Sequence, residues 1–474
     1  MSIKLVDTQD IPPTIAIVGG GASGALVASH LLRAGNARVV LIERGARIAR
    51  GVAYGTTFAG HLLNVPAAGM TALPDDPAHF LRYVRDHHDA SAEPTTFVPR
   101  MVYGDYLEFV LRESERLAAP GASLVQWQGE VVALAAGAGA GAEPWLMTFA
   151  DGSRAHADCV VLALGNLPPR DPALASGAWP TDPARYIRDP WLPGALAHRA
   201  PGPALLIGTG LTMVDVALQL QEGGGQRIVA LSRGGLLPHA HRIGGAPPSQ
   251  GVPVPDATTS LTALLRFVRT AAVVAEVGGG DWRDAVNALR PVTSELWAAL
   301  PAGEQQRFVD RLARYWDVHR HRLAPAVAAT VQELRDGGLL TFASGRIRAV
   351  AEHAGGVRVT LSERASGQTR ELRVASVVNC SGPAGDVLAG GSRLLESLCD
   401  TGIARPHRVA LGLDTCADGA LRDASGHAHD TLFAIGPLRR GELWETTAVP
   451  EIRAQAQALA QRLAHSRSLS ALAG

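Results

Sequence analysis

The chain has 474 residues, and its 44 Lys plus Arg equal its 44 Asp plus Glu. That length accommodates two to three domains, while the balanced charge excludes the basic footprint that nucleic acid or an anionic membrane requires, so small molecules are the expected partners. The four cysteines, Cys159, Cys380, Cys399 and Cys416, form no CxxC pair, which argues against a redox dithiol and a structural zinc site; no metal is expected.

The stretch Met1 to Pro13 contains Asp7 and Asp10 and no long apolar core, so it does not read as a signal peptide. No run reaches the roughly 18 apolar residues that span a bilayer, and the expected location is the cytoplasm. Ile15 to Val18 reads as a buried parallel strand, followed by Gly19-Gly20-Gly21-Ala22-Ser23-Gly24 and a helix from Ala25 to Arg33 that ends at Gly35. A side chain at Gly19 or Gly21 would block the turn or keep a pyrophosphate from the helix N-terminus. Val39 to Ile42 forms the next strand, and Glu43 at its end stands where a carboxylate holds ribose hydroxyls, with Arg44 after it. Such an acid repels a 2′-phosphate, so this first site suits FAD or NAD.

From Gly51 to Pro99 the sequence is loop-like, with a helix predicted over 77–87, and a further helix is predicted over 103–117. Leu124 to Ala135 and Pro144 to Phe149 read as a hairpin joined by the Gly137-Ala138-Gly139-Ala140-Gly141 tip, with a turn at Asp151-Gly152. Val160 to Asn166 is an apolar strand interrupted by Gly165.

A second glycine signature, Gly208-Thr209-Gly210-Leu211-Thr212-Met213, follows the apolar run Ala204 to Ile207 and leads into a helix over 214–221. The following strand, Arg227 to Leu231, ends in Ser232-Arg233 rather than an acid. A hydroxyl and a guanidinium suit a 2′-phosphate, so the second nucleotide is read as NADPH, NADH being the alternative. Helices are predicted over 260–276, 282–289, 293–299 and 301–316, with Ser260 as an N-cap. The cluster Arg314 to Arg322 is either a solvated helix face or a wall for an anionic group. Ser376 to Pro383 reads as a return strand with Gly382 near its end. Thr431 to Pro437 reads as the last strand, with Gly436, before Arg439 to Thr447 and a helix opening near Val449-Pro450-Glu451.

The expected fold class is α/β, with two Rossmann-like dinucleotide-binding domains. The NADPH domain is inserted into a discontinuous FAD domain and carries a helical insertion at about 255–338. The FAD parts are placed at 1–195 and 376–474, and the NAD(P)H domain at 196–375.

Gly51-Val52-Ala53-Tyr54-Gly55, His61 to Ala67, Trp316 to Arg322 and Trp444 to Arg453 make the chain resemble the bacterial FAD/NAD(P)-binding proteins over essentially its whole length. A wider resemblance is to class B flavin monooxygenases, especially the N-hydroxylating ones; Asn379-Cys380-Ser381-Gly382 departs from their usual Ala-Thr-Gly triplet. The resemblance implies hydride transfer from NADPH to FAD, oxygen addition at flavin C4a to give a C4a-hydroperoxyflavin, and attack on it by a small amine or amino acid. Molecular oxygen is thus an expected partner. The implied rival is an NADPH-dependent flavin reductase or dehydrogenase without oxygenase activity.

His61 and Asn64 are expected over the flavin, and Arg440 and Trp444 beside its ring, although His61 would equally cap a turn and Trp444 fill core. Expected cofactor contacts on the FAD side are Gly19, Gly21, Ala22, Ser23, Gly24, Glu43, Arg44, Asn64, Val65, Gly165, Gly436 and Thr447. On the NADPH side they are Gly208, Gly210, Leu211, Thr212, Ser232 and Arg233, with Gly382 at the return strand.

Overall fold

A computed structural model describes residues 12–136, 145–242, 255–256 and 258–465. The Gly137–Gly141 tip, Pro144 and the first eleven residues, on which some of the sequence readings fall, lie outside the described residues.

The apolar run at 15–18 becomes the strand Thr14–Val18, central in a six-stranded sheet. It pairs in parallel with Arg38–Glu43 on one side and Cys159–Leu162 on the other. Ser123–Gln128 extends the sheet past Arg38–Glu43, while Ala428–Ala434 extends it past Cys159–Leu162, also in parallel. Such strands are covered on both faces, which is why they read as unbroken apolar runs rather than alternating ones. One face carries the helices Ala22–Ala34, Arg100–Arg116 and Val449–Ala464, whose Leu31, Leu107 and Ala456 join a single core. Leu31 and Leu32 are each 0% exposed, and burial of each aliphatic side chain is worth about 1.5–3 kcal/mol. The other face packs against the helix Arg393–Asp400 and a small antiparallel sheet of Val131–Ala135, Trp145–Phe149 and Arg154–Ala157.

That small sheet corrects the predicted hairpin. The run 124–135 divides at Gly129, whose N–H donates to the Glu43 carbonyl at 2.9 Å. Its first half therefore stays in the large sheet, and only its second half pairs with Trp145–Phe149.

The second large sheet repeats the arrangement of the first. Ala204–Ile207 pairs in parallel with Ile228–Ser232 and with Ser376–Asn379, and Tyr186–Ile187 adds beyond the latter. On the opposite side Leu340–His353 runs parallel to Ile228–Ser232 and then folds antiparallel onto Gly356–Glu363 and Thr369–Val374. Because Tyr186–Ile187 and Ser376–Asn379 both belong to this sheet, the exchanges between sheets lie outside the positions expected near 196 and 376. They fall at two neighbouring segments, where Leu167 and Ala384 form an antiparallel bridge.

Between these strands lie the helices Leu261–Val277, Trp282–Leu289, Thr293–Ala299, Ala302–Arg311, Ala313–Arg320 and Pro325–Asp336. Ser260 caps the first, its hydroxyl accepting from the Ala263 N–H at 3.3 Å. The single helix expected over 301–316 is two, broken at Leu312. This insertion packs as much on the C-terminal segment as on its own sheet: Leu261, Trp297 and Leu300 share a core with Val409, Leu411 and Trp444. Among the described residues no helix is long and apolar enough to cross a membrane.

Candidate functional site: two nucleotide cradles and the junction between them

The two glycine loops have matching geometry. Gly19 has φ +106°, and a Cβ placed on it would stand 2.4 Å from the Ala163 carbonyl oxygen. Gly208 has φ +116°, and its Cβ would stand 2.3 Å from the Cys380 oxygen. Each glycine N–H donates to the neighbouring strand, Gly19 to Ile42 O at 2.9 Å and Gly208 to Leu231 O at 2.7 Å. Two residues past each touching carbonyl comes another glycine with positive φ, Gly165 at +68° and Gly382 at +88°, both facing open space. In both halves an extended glycine, Gly21 or Gly210, caps the helix that follows, with no side chain capping the first turn. Ala22, Ser23, Leu211 and Thr212 thus stand at helix ends whose leading N–H groups attract phosphate.

The copies differ one position further on. A Cβ on Gly24 would lie 2.0 Å from the Gly19 oxygen, so that helix sits tight on its strand. The corresponding Met213 is 0% exposed, and its helix is seated on a side chain instead.

The first cradle fits a ribose and a pyrophosphate. Glu43 accepts from the Gly20 and Gly45 N–H groups, each at 2.8 Å, which holds its carboxylate beside the loop with lone pairs left for hydroxyls. Gly20 permits this approach, since its Cβ would meet that of Glu43 at 2.7 Å. Gly51, at φ +55°, closes over Gly21, anchored by the buried Arg50, which pairs with Glu108 at 2.6 Å and with Asp105. The C-terminal segment reaches this loop: a Cβ on Gly436 (φ +71°) would stand 3.0 Å from Ser23 Oγ. Arg44 and Thr447 are exposed, and Asn64 and Val65 are half-buried.

At the second cradle Ser232 Oγ lies 2.9 Å from Thr209 Oγ1 and accepts from the Gly235 N–H. Arg233 is exposed beside it. Arg233→Ala is expected to weaken NADPH binding about tenfold to a hundredfold, the value of one charge-assisted contact, while leaving NADH unchanged. Titration of both nucleotides by flavin-independent calorimetry checks this, and equal losses would refute the 2′-phosphate role.

The structure shows how His61 and Asn64, the residues expected over the flavin, are held. His61 is 1% exposed, and its Nε2 donates to the Asp215 carbonyl at 3.0 Å while Nδ1 accepts from Thr56 Oγ1 at 2.8 Å. Nε2 thus ties the first unit to the helix Leu211–Gln221 while Nδ1 anchors the ring within its own unit, and burial lowers its pKa. Beside it Arg100 grips the Asp215 carboxylate with two nitrogens, at 2.8 and 3.3 Å. The backbone oxygen of Asn64 accepts from His241 Nε2 at 2.9 Å. Sequence reading missed the Arg100–Asp215 pair, because neither residue belongs to a motif.

Trp444 is 5% exposed and adopts φ +57°, unusual for a large residue. Trp297 and Phe308 enclose it at ring separations of 5.1 and 4.8 Å, and the Arg440 guanidinium lies 4.6 Å from its ring centroid. It therefore fills the junction between the insertion and the C-terminal segment. Hydrogen bonds from Trp297 Nε1 to Gly441 O (2.7 Å) and from Ser294 Oγ to Leu443 O (2.9 Å) hold the same seam.

The 314–322 cluster divides between both readings. Arg314 and Tyr315 are exposed, whereas Arg320 and Arg322 are buried. Trp316 Nε1 donates to Glu445 at 2.8 Å, and Arg320 lies 3.4 Å from Glu445 and 3.7 Å from Glu451. Arg290 takes Glu451 with two nitrogens, at 2.5 and 3.0 Å. Burial, aided by Arg320 and Arg440, lowers His321 to about 3. Asp317 keeps one side open to water, its side chain 44% exposed, yet enclosure on the others raises it to about 6 against the pull of Arg440. At neutral pH the junction thus holds a carboxylate, a neutral imidazole and paired guanidinium groups.

Burial also lowers His241 from 6.5 to about 4. Its unfolded form binds a proton that the folded form refuses, so its contribution is complete above pH 6.5 and is lost as pH falls towards 4. The loss amounts to up to about 3 kcal/mol. Urea unfolding at pH 7 and pH 5 should show a smaller difference for His241→Gln than for the parent; an unchanged difference would clear His241 of the effect.

Residues 16–167 match the FAD-NAD(P)-binding family. This unit contains the Gly19–Gly24 cradle, Glu43 and the strand Cys159–Leu162, and the second cradle repeats it. No curated protein matches the chain in sequence. The fold matches L-lysine 6-monooxygenase from Pseudomonas syringae, over 96% of this chain and 100% of that one, at 17% identity and TM-score 0.66. Ornithine hydroxylase from Pseudomonas aeruginosa aligns over 96% and 99%, at 15% identity and TM-score 0.65. Ornithine N-hydroxylase from Kutzneria, solved with reduced FAD, NADP⁺ and L-ornithine, aligns over 95% and 98%, at 14% identity and TM-score 0.61. The fold is that of the two-dinucleotide-binding flavoproteins.

Proposed function

We propose that the chain is an FAD-dependent oxidoreductase that uses NADPH and molecular oxygen to hydroxylate the nitrogen of a small amine or amino acid. The observation that carries this reading is the repeated cradle: one chain holds two dinucleotide sites of matching backbone geometry, one with Glu43 at its ribose end and the other with Ser232 and Arg233. The overall likeness to solved N-hydroxylating enzymes supports the same class. The pyridine-nucleotide unit is assigned to the chain between Leu167 and Ala384, and the FAD unit to the segments on either side.

When bound, FAD supplies the redox chemistry, accepting a hydride from NADPH and activating oxygen. The balance is one amine, one O₂, one NADPH and one proton giving one hydroxylamine, NADP⁺ and water. The protein's contribution is orientation and exclusion of water. Gly19, Gly21 and the Ala22 helix end would hold the first pyrophosphate, and Gly208, Gly210 and the Leu211 helix end the second. His61 and Arg100 fix the second helix against the first unit. The seam of Trp297, Trp444 and Phe308 keeps water out of one wall, while Asp317 and Arg440 supply charge for a polar substrate.

The test is rapid mixing of the NADPH-reduced holoenzyme with oxygen. A transient absorbing between reduced and oxidised flavin, and hydroxylated product equal to NADPH consumed with lysine, ornithine or aspartate as trial amines, is the expected result. Immediate flavin reoxidation with hydrogen peroxide equal to NADPH, for every amine tried, would instead establish a reductase.

A further inference from the structure

The helical insertion has a second working face. Arg311, at the end of Ala302–Arg311, and Arg314, at the start of the next helix, line a cavity of about 620 Å³ together with Arg233, Arg346, Arg348 and Arg364. Arg346 and Arg348 flank Ile347 on Leu340–His353, where the pairing with Gly356–Glu363 slips by one residue at Arg348, and both reach the cavity. Arg364 is bound into the same corner: its N–H donates to Ser344 O at 2.9 Å, and its Nη1 lies 3.5 Å from where a Cβ of Gly234 would be. Ser344 is the register partner of Ser232, which places the cavity at the end of the second cradle's strand.

Two carboxylates, Asp310 and Glu363, also line the cavity, and set against the six arginines they leave an excess of four positive charges. Asp310 accepts from Gln306 at 3.0 Å, and Glu363 lies 3.7 Å from Arg370. None of the six arginines has an ion-pair partner among the described residues. Like charges gathered in a concavity repel one another and focus a positive potential, an arrangement that an anionic ligand relieves. The volume exceeds what one phosphate needs and lies in the range of sites for nucleotide-sized ligands.

We propose that this cavity takes the 2′-phosphorylated adenosine end of NADPH, and that Arg311 and Arg314 of the helical insertion clamp the phosphate from the side opposite Arg233. This rests on the NADPH reading above and extends it: the insertion that seals the junction at Trp444 is also a specificity element for the 2′-phosphate. An Arg fork matches phosphate geometry from either side, so two elements closing on one group is chemically sound.

The experiment is calorimetric binding to the FAD-loaded protein of 2′,5′-ADP, 5′-AMP and inorganic pyrophosphate, for the parent, Arg233→Ala and the double variant Arg311→Ala/Arg314→Ala. The parent should bind 2′,5′-ADP at least tenfold more tightly than either other probe, and the double variant should lose tenfold or more for 2′,5′-ADP with 5′-AMP unchanged. A full-affinity double variant beside a weakened Arg233→Ala would overturn the clamp while leaving the NADPH reading intact. No preference for 2′,5′-ADP over 5′-AMP in the parent would overturn both. Pyrophosphate binding as tight as 2′,5′-ADP would overturn the clamp by making the cavity a general polyanion site. Retained flavin spectrum and melting temperature certify the fold, and Arg311→Lys/Arg314→Lys, which keeps the charge, should restore part of the affinity.

Discussion

Gly208→Ala is expected to yield a protein that keeps its FAD and loses NADP⁺ binding by more than about a hundredfold, whereas Gly19→Ala should emerge from purification without flavin. At each position the new methyl group would stand 2.3 to 2.4 Å from a backbone carbonyl oxygen, of Cys380 or Ala163. That carbonyl is main chain, one residue past the strand Cys159–Leu162 or Ser376–Asn379, and cannot swing away as a side-chain tip would. Positive φ adds a cost of about 1–3 kcal/mol. Gly165→Ala and Gly382→Ala supply the contrast: φ is again positive but nothing lies within 4 Å, so only the smaller backbone cost applies. Flavin absorbance per protein after gel filtration and NADP⁺ calorimetry read the two losses separately. If Gly208→Ala lost flavin as readily as Gly19→Ala, the assignment of one nucleotide to each cradle would be wrong.

The second large effect is expected at Asp215. Its side chain and that of Arg100 are only 8% and 15% exposed, and Asp215→Ala would leave the guanidinium buried without its partner. Truncating one member of such a pair costs about 3–5 kcal/mol, while replacing both with apolar residues of similar volume costs far less. Urea unfolding should therefore rank Asp215→Ala below Arg100→Met/Asp215→Leu. The single variant should also slow hydride transfer, because the helix that carries the second nucleotide loses its tie to the first unit. Equal stability of the single and double variants would mean that the pair contributes little.

These pairs explain what was legible in the sequence. Ser260 as a cap and the opening of the last helix are decided by residues within one turn of each other, and the glycine loops and Glu43 follow a fixed spacing of strand, turn, helix and strand, so these were readable. The division of 123–135 at Gly129 depends on a hydrogen bond to Glu43, far back in the chain. His61 stands in a motif-rich stretch, but its surroundings come from Asp215, and no local pattern shows that its ring is enclosed. Trp444 likewise owes its burial to Trp297 and Phe308, which reach it only after the insertion has folded. Arg311 reads as an ordinary helix-surface charge, and Arg314 as either that or part of an anionic wall, until the strand Leu340–His353 brings Arg346 and Arg348 to the same cavity.

The bridge between Leu167 and Ala384 has a mechanical consequence. The chain leaves the first sheet and returns to it through two segments joined by this one bridge, so any rotation of one nucleotide unit against the other would turn about that place, as a door turns on adjacent pins. Arg100–Asp215 and the Trp444 seam are two further ties between the units, and act as latches. Releasing one latch should let the units swing without letting them separate, and flavin-to-nucleotide distance would then vary along one coordinate.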